Sequence, residues 1–231
     1  MGKAINLYVV YGSETHLLSG LYNKEDSIFI RIFNHQKLDT DQFAYYAGSF
    51  EEFKKVFGLA QEQNDIKRIV FIGAAFLSQR SLFVNTTDEE ISSLIEVNIN
   101  SYVKYTNFLL PYMLKLKNGY FIYLSSFRSR VTARGVSLYA ASKAFGETFF
   151  EAIGKEYGSL GVYASSIRMG YFDGRMTTEL GDEKLRKIKL NAGNRKLGTS
   201  LDLLKTINFL LDNPYTNGGV VDLTGGINHE F

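Results

Sequence analysis

The sequence predicts an α/β protein: one doubly wound parallel sheet of about seven strands with helices on both faces. Three observations predict it. Short runs rich in β-branched and aromatic residues recur along the chain, each continuous rather than alternating, the pattern of strands buried on both faces. Longer amphipathic runs separate them, as crossovers between parallel strands require. Polar residues able to do chemistry cluster just past strand ends, where such sheets hold their ligands.

Ile5–Tyr11 is the first strand, closed by Gly12; Ser27–Phe33 is the second and Gln42–Tyr46 a weaker third. Ser49 followed by Glu52 reads as a capping box that opens a helix through about Gln63. Arg68–Ala75 is the next strand, and Thr87 with Glu90 caps a long helix running past Asn98 and Tyr105 towards Pro111. Tyr120–Ser125 is another apolar strand, followed by a helix from Ser137 to Tyr157 that Gly158 ends. Val162–Arg168 is a strand, Ser200–Asp212 a helix and Gly219–Leu223 the last strand. No repeat, low-complexity tract or linker interrupts this order, so residues 1–231 are expected to form one domain.

Composition narrows the function. With 45% hydrophobic and 22% charged residues the chain is that of an ordinary globular protein with a proper core. A formal net charge of +2 is too small to make nucleic acid or a membrane surface the main partner. Without Cys there are neither disulfides nor thiolate chemistry, and three His in no ligand spacing suggest no metal site. No apolar stretch approaches the ~20 residues that span a bilayer, and no signal peptide is visible, so a cytoplasmic protein is expected.

The chemistry centres on Tyr139-Ala-Ala-Ser-Lys143, which puts a phenol and an ammonium on one face of a helix. A Tyr hydroxyl has an ordinary pKa of about 10, and a neighbouring cation that stabilises the phenolate makes it a usable general acid at neutral pH. Ser126 lies just past a strand end, where its hydroxyl can meet a carbonyl oxygen. Taken alone, Tyr-x-x-x-Lys is equally a pair on an ordinary amphipathic helix.

Asn98, Ser126, Tyr139 to Lys143 and Arg168-Met-Gly170, in that order and spacing, together resemble the short-chain dehydrogenase/reductase family. The resemblance continues through Tyr171-Phe-Asp173, Arg195-Lys-Leu-Gly198 and Gly218-Gly-Val-Val-Asp222 to Gly225-Gly226, and so runs from about Ile5 to Ile227. It implies a Rossmann-like fold and a reaction in which NADP or NAD exchanges hydride with a carbonyl or alcohol. Tyr139 would then exchange the proton, and Lys143 would lower its pKa and bind the nicotinamide ribose. Ser126 would hold the substrate oxygen, with Ser125 as the rival for that role, and Asn98 would hold a proton-relaying water. Gly12, Ser13, Thr15, Gly73, Ala74, Lys143, Gly170 and Phe172 would line the cofactor, and residues 172–198 would form a substrate lid.

The cofactor end departs from the family pattern. Where Thr-Gly-x-x-x-Gly-x-Gly belongs, the chain reads Tyr11-Gly-Ser-Glu-Thr-His-Leu-Leu18, with His16 and Leu18 in place of the second and third glycines. The segment before the second strand is short, so a stubby first helix is expected, with bulky side chains on the pyrophosphate approach. Asn-Asn-Ala-Gly is replaced by Ile72-Gly-Ala-Ala75, and the end of the second strand offers Ile32, Phe33, Asn34 and His35 rather than an Asp or basic pair. Ala47 stands where an acidic residue often meets adenine, and Gly174 where a Thr meets the nicotinamide amide. These losses keep a second reading open: a family-derived protein with altered dinucleotide binding, serving as a non-catalytic subunit or in redox-neutral acid/base chemistry.

Arg128, Arg130 and Arg134 beside the site, with Arg175, Lys184, Arg186, Lys187, Lys189, Arg195 and Lys196 in the lid, suit an anionic small-molecule or carrier-bound substrate; an ordinary solvated face balanced by Glu179, Asp182 and Glu183 is the alternative. The family implies a homodimer or homotetramer packed through the helices beginning near Thr87 and Ser137, with Tyr102, Tyr105, Phe108, Phe145, Phe149 and Phe150 as candidate contacts.

Overall fold

The computed structural model describes residues 4–12, 16–33, 44–79, 81–174, 177 and 181–227. Among them, seven strands form one sheet: β1 (Ile5–Tyr11), β2 (Ser27–Ile32), β3 (Ala44–Ala47), β4 (Ile66–Gly73), β5 (Gly119–Ser126), β6 (Val162–Met169) and β7 (Val220–Leu223). Their order is β3-β2-β1-β4-β5-β6-β7, and every pairing is parallel. The helices are α1 (Phe50–Gln63), α2 (Asp88–Ile95), α3 (Ser101–Leu116), α4 (Ser137–Tyr157), α5 (Asp182–Asn191) and α6 (Ser200–Asp212).

Alternation along β1 builds both cores. Leu7, Val9 and Tyr11 join the layer made by α1, α3 and α4, with Phe53, Tyr105 and Phe150. Tyr8 and Val10 face the other layer, with Leu18 and Leu21 from the 3₁₀ helix His16–Asn23 and Leu203 and Ile207 from α6. Each such buried side chain stabilises the fold by roughly 1.5–3 kcal/mol. The expected stubby first helix is this 3₁₀ segment, tied to α6 by Lys24 Nζ donating to Asn208 Oδ1 at 2.6 Å. Leu18 corrects one expectation: at 1% exposure it packs into the core and does not crowd a phosphate approach.

The caps behave largely as their sequences require. At α2, Glu90 N donates to Thr87 Oγ1 and Thr87 N donates back to Glu90 Oε2. At α1, Glu52 N donates to Ser49 Oγ, but the Glu52 carboxylate accepts from Gly48 N, one residue earlier than a capping box requires. Each cap contributes about 1 kcal/mol. The long helix continues beyond Pro111 to Leu116, and between α2 and α3 it widens into a π-turn at Glu96–Asn100. Helix α5 within the expected lid was not legible, because its charged sequence has no buried face.

The connection from β1 goes outward to β2 and β3 and then returns to β4 on the other side of β1. The strand order thus reverses between β1 and β4, and sheets of this kind take ligands outside the carboxyl ends of the strands at such a point.

Candidate active site

Ser126 ends β5, and Tyr139 and Lys143 lie one turn apart near the start of α4. The Ser126 hydroxyl accepts from Arg128 N at 3.2 Å, which holds the turn Phe127–Ser129. The Tyr139 phenol lies near enough for the Ser126 hydroxyl to lower its pKa. Ser125, the rival serine, points to the opposite face and donates to Glu147 Oε1 at 2.6 Å. The alternation of β5 thus separates the two serines: Ser126 beside the phenol, Ser125 beneath α4.

Lys143 is 2% exposed. Its Nζ donates to Leu124 O at 2.8 Å and sits 5.2 Å from the Phe76 ring centre, 5.0 Å from Tyr123 and 6.0 Å from Tyr139. Burial lowers its pKa to about 7, with the nearby Glu147 carboxylate opposing the fall. The Tyr139 phenol is pushed above its ordinary value by burial, against the Ser126 hydroxyl and the positive charge of Arg128. The Arg128 charge lowers the phenol's pKa here, while the Lys143 ammonium turns to a main-chain carbonyl.

Asn98 occupies the π-turn and is 1% exposed. Its Oδ1 accepts from Leu77 N at 2.7 Å, and its Nδ2 donates to Leu77 O at 2.9 Å and to Ser142 Oγ at 3.0 Å. Both amide hydrogens are thus engaged in fixing the segment after β4 against α4. The side chain positions main chain here; its donors are not left over for a water.

The residues expected to line a cofactor divide. Ser13 and Thr15 lie outside the described residues, as do Glu14, Asn34, His35, Arg175 and Glu179. Gly12 has φ +84°, and a Cβ there would meet Ala75 N at 2.3 Å. The loops after β1 and β4 cross at this point: Ala74 N and Ala75 N both donate to Tyr11 O, and Gly12 N donates to Ile32 O. Gly73 makes room for Tyr102, whose Cε1 would lie 2.3 Å from an added Cβ and whose hydroxyl donates to Ala75 O at 2.6 Å. Gly12, Gly73 and Ala74 therefore have packing reasons of their own, and the amides of Gly12, Ala74 and Ala75 are already paired. Gly170 packs on Thr224, and Phe172 is buried against Gly198, whose added Cβ would meet the ring at 2.7 Å. Phe172 and Gly198 also form a bridge that joins the two ends of segment 172–198, and Ala192 within it pairs with Ile227. Gly225 and Gly226, at φ +67° and +71°, are the tight turn that accepts from Asn194 N and Gly193 N.

Sequence reasoning missed Glu147. It lies one turn beyond Lys143, a spacing that suggests a Glu–Lys pair on one helix face. The carboxylate instead accepts from Arg168 at 2.7 and 3.1 Å. The candidate contact aromatics also divide: Tyr102, Tyr105 and Phe150 are core residues, whereas Phe145 is 36% exposed and stacks on Phe149 at 5.7 Å. Among the described residues, no three His, Asp or Glu are grouped to hold a metal, and no helix is long and apolar enough to cross a membrane.

The fold and the site define a doubly wound α/β protein with a serine, a tyrosine and a lysine gathered at the carboxyl ends of its strands. The short chain dehydrogenase family model matches residues 33–185, and the chain belongs to that family of oxidoreductases. It is 23% identical over 202 residues to nodulation protein G of Rhizobium sp. (strain N33), covering 83% of this chain and 82% of that one. It is 28% identical over 180 residues to the 3-oxoacyl-[acyl-carrier-protein] reductase of Bos taurus, covering 78% and 71%. Among solved structures, "ElxO with NADP Bound" is similar at a TM-score of 0.84 and 18% identity, covering 96% of this chain and 98% of that one.

Proposed function

We propose that this protein is an NAD(P)-linked oxidoreductase that reduces a carbonyl, or oxidises the alcohol, with Tyr139 as the proton carrier. The observation that carries the reading is a tyrosine one helical turn from a buried lysine, with the Ser126 hydroxyl near enough to lower the phenol's pKa. The Lys143 ammonium has three N–H groups, and among the described residues only Leu124 O takes one. That donor set suits the hydroxyls of a nicotinamide ribose. Bound there, the dinucleotide supplies or accepts the hydride. Ser126 holds the substrate oxygen, and the Tyr139 phenol gives that oxygen its proton as negative charge develops. Asn98 acts by fixing Leu77 at the rim of the site.

The substrate reading rests on Arg128, whose charge reaches the Tyr139 phenol and whose Nη2 donates to Tyr171 OH at 3.5 Å. A guanidinium at that place suits an anionic or carrier-bound acyl group, and the bovine relative is named for a reaction on such a carrier. The chain works as one domain with 172–198 as its lid, and the exposed pair Phe145 and Val103 supports self-association through α3 and α4.

A second reading is favoured by one observation, the pairing of the Gly12, Ala74 and Ala75 amides within the protein. It gives the protein weak dinucleotide affinity and a redox-neutral or non-catalytic role. Turnover of a panel of carbonyl compounds with NADPH and NADH separates the two. In a Tyr139→Phe variant, the first reading expects kcat to fall by roughly 10²–10⁴-fold while dinucleotide affinity stays. Unchanged turnover would remove Tyr139 from the reaction.

A further inference from the structure

Beneath the site lies a charge cluster, buried apart from Asp222, that the proposed chemistry does not use. Ser125, Arg168 and Asp222 stand side by side on β5, β6 and β7 in direct register. Their side chains turn to the same face, under α4, and Glu147 of α4 meets them. Arg168 Nη2 donates to Glu147 Oε2 at 2.7 Å, Arg168 Nε donates to Oε1 at 3.1 Å, and Arg168 Nη1 donates to Asp222 Oδ1 at 2.6 Å. The side chains of Arg168 and Glu147 are only 5% and 11% exposed. The Ser125 and Ser129 hydroxyls both donate to Glu147 Oε1, each at 2.6 Å.

The two serines give the cluster a direction. A buried Arg–Glu pair could be satisfied with little help from the loop after β5. Here the carboxylate grips that loop on both sides of Ser126, one residue before it and three after. The same carboxylate sits on the helix that carries Tyr139 and Lys143. We propose that Glu147 is a positioning residue, fixing Ser126 against Tyr139 by binding Ser125, Ser129 and Arg168 at once. The inference rests on the reading of Ser126 and Tyr139 as reacting groups. Charge-assisted bonds of this kind are short and directional, so they hold a turn more firmly than the neutral bonds within it. The turn's own bonds are modest: Arg130 N and Val131 N donate to Phe127 O at 3.2 and 3.0 Å. A displacement of a reacting group by a fraction of an ångström is enough to slow catalysis by about tenfold or more.

Ser129→Ala is the test, because it removes the hydroxyl that donates to Glu147 Oε1 and accepts from Arg168 Nε at 3.1 Å, and leaves the Arg168–Glu147 pair in place. Glu147→Asp and Glu147→Gln accompany it. Two measurements are made: steady-state reduction of ethyl acetoacetate with NADPH, and amide hydrogen exchange across residues 125–131. The expected result for Ser129→Ala is a kcat lowered by about tenfold, an unchanged KM for NADPH and faster exchange confined to 127–131. Glu147→Asp, which keeps a carboxylate, retains more kcat than Glu147→Gln. Wild-type kcat with wild-type exchange in Ser129→Ala overturns the proposal, and so does a loss of NADPH affinity with kcat intact. Should Glu147→Gln fail to fold, Ser129→Ala decides alone. Should the wild-type protein reduce no probe, the functional reading falls instead, and the exchange rates still judge the clamp: acceleration at 127–131 supports it and unchanged exchange overturns it.

Discussion

Lys143→Met should make the protein more stable at neutral pH. Lys143 is 2% exposed and holds its proton in the folded state only to a pKa of about 7, against 10.5 when free. At about 1.4 kcal/mol per pH unit, that separation is a cost of roughly 5 kcal/mol, borne fully below pH 7. The Leu124 carbonyl and the rings of Phe76, Tyr123 and Tyr139 return part of the cost. A net gain of about 2–3 kcal/mol is therefore expected on replacing the ammonium with an apolar chain of similar length. The sign of the pH dependence follows. Between about pH 7 and 10.5 the unfolded chain holds a proton on Lys143 that the folded protein has lost. Unfolding takes up that proton, so the wild-type protein gains stability relative to the variant as pH rises through this window. Urea unfolding of both proteins at pH 6, 7.5, 9 and 10 measures the difference. Because the linkage swing between pH 6 and pH 10 is about 4 kcal/mol, the variant should be the more stable by about 2–3 kcal/mol at pH 6 and the less stable by about 1–2 kcal/mol at pH 10. A variant less stable than wild type at pH 6, or a difference that does not vary with pH, would refute the account of Lys143 as a desolvated cation.

Three further outcomes are expected. Ser126→Ala removes a hydroxyl that lowers the Tyr139 pKa, so the alkaline limb of the kcat/KM profile should move to higher pH. Gly73→Ala drives a Cβ to 2.3 Å from Tyr102, whose ring is 1% exposed and cannot retreat; thermal denaturation should show a loss of about 1–3 kcal/mol. Gly12→Ala should be the worse of the two, since backbone rather than a side chain blocks it and the residue has φ +84°. A melting temperature equal to that of Gly73→Ala would count against the loop crossing at Gly12.

The strands were legible because the period of burial is written directly in the residues: β1, α4 and α6 have the bounds that apolar runs and caps suggest. What escaped was set by contacts between distant segments. A glycine looks alike whether it admits a ligand or a neighbouring ring, and Gly73 is explained by Tyr102, far along the chain. Glu147 pairs with Arg168 rather than Lys143 because β6 brings a guanidinium beneath α4. The two adjacent serines, equivalent as letters, are separated once β5 turns them to opposite faces. Helix α5 has no buried side of its own, so no periodic signal marked it.

Titration of the purified protein with NADPH and with NADH, followed by nucleotide fluorescence, tests the functional account most directly. The account predicts saturable binding of at least one of them, with a dissociation constant on the order of 1 μM to 1 mM, as working enzymes require. It also predicts weaker binding to Lys143→Met, which lacks the ammonium for the ribose. Absence of binding by both nucleotides at millimolar concentration would contradict it, and would leave the Ser126, Tyr139 and Lys143 centre to a chemistry without hydride.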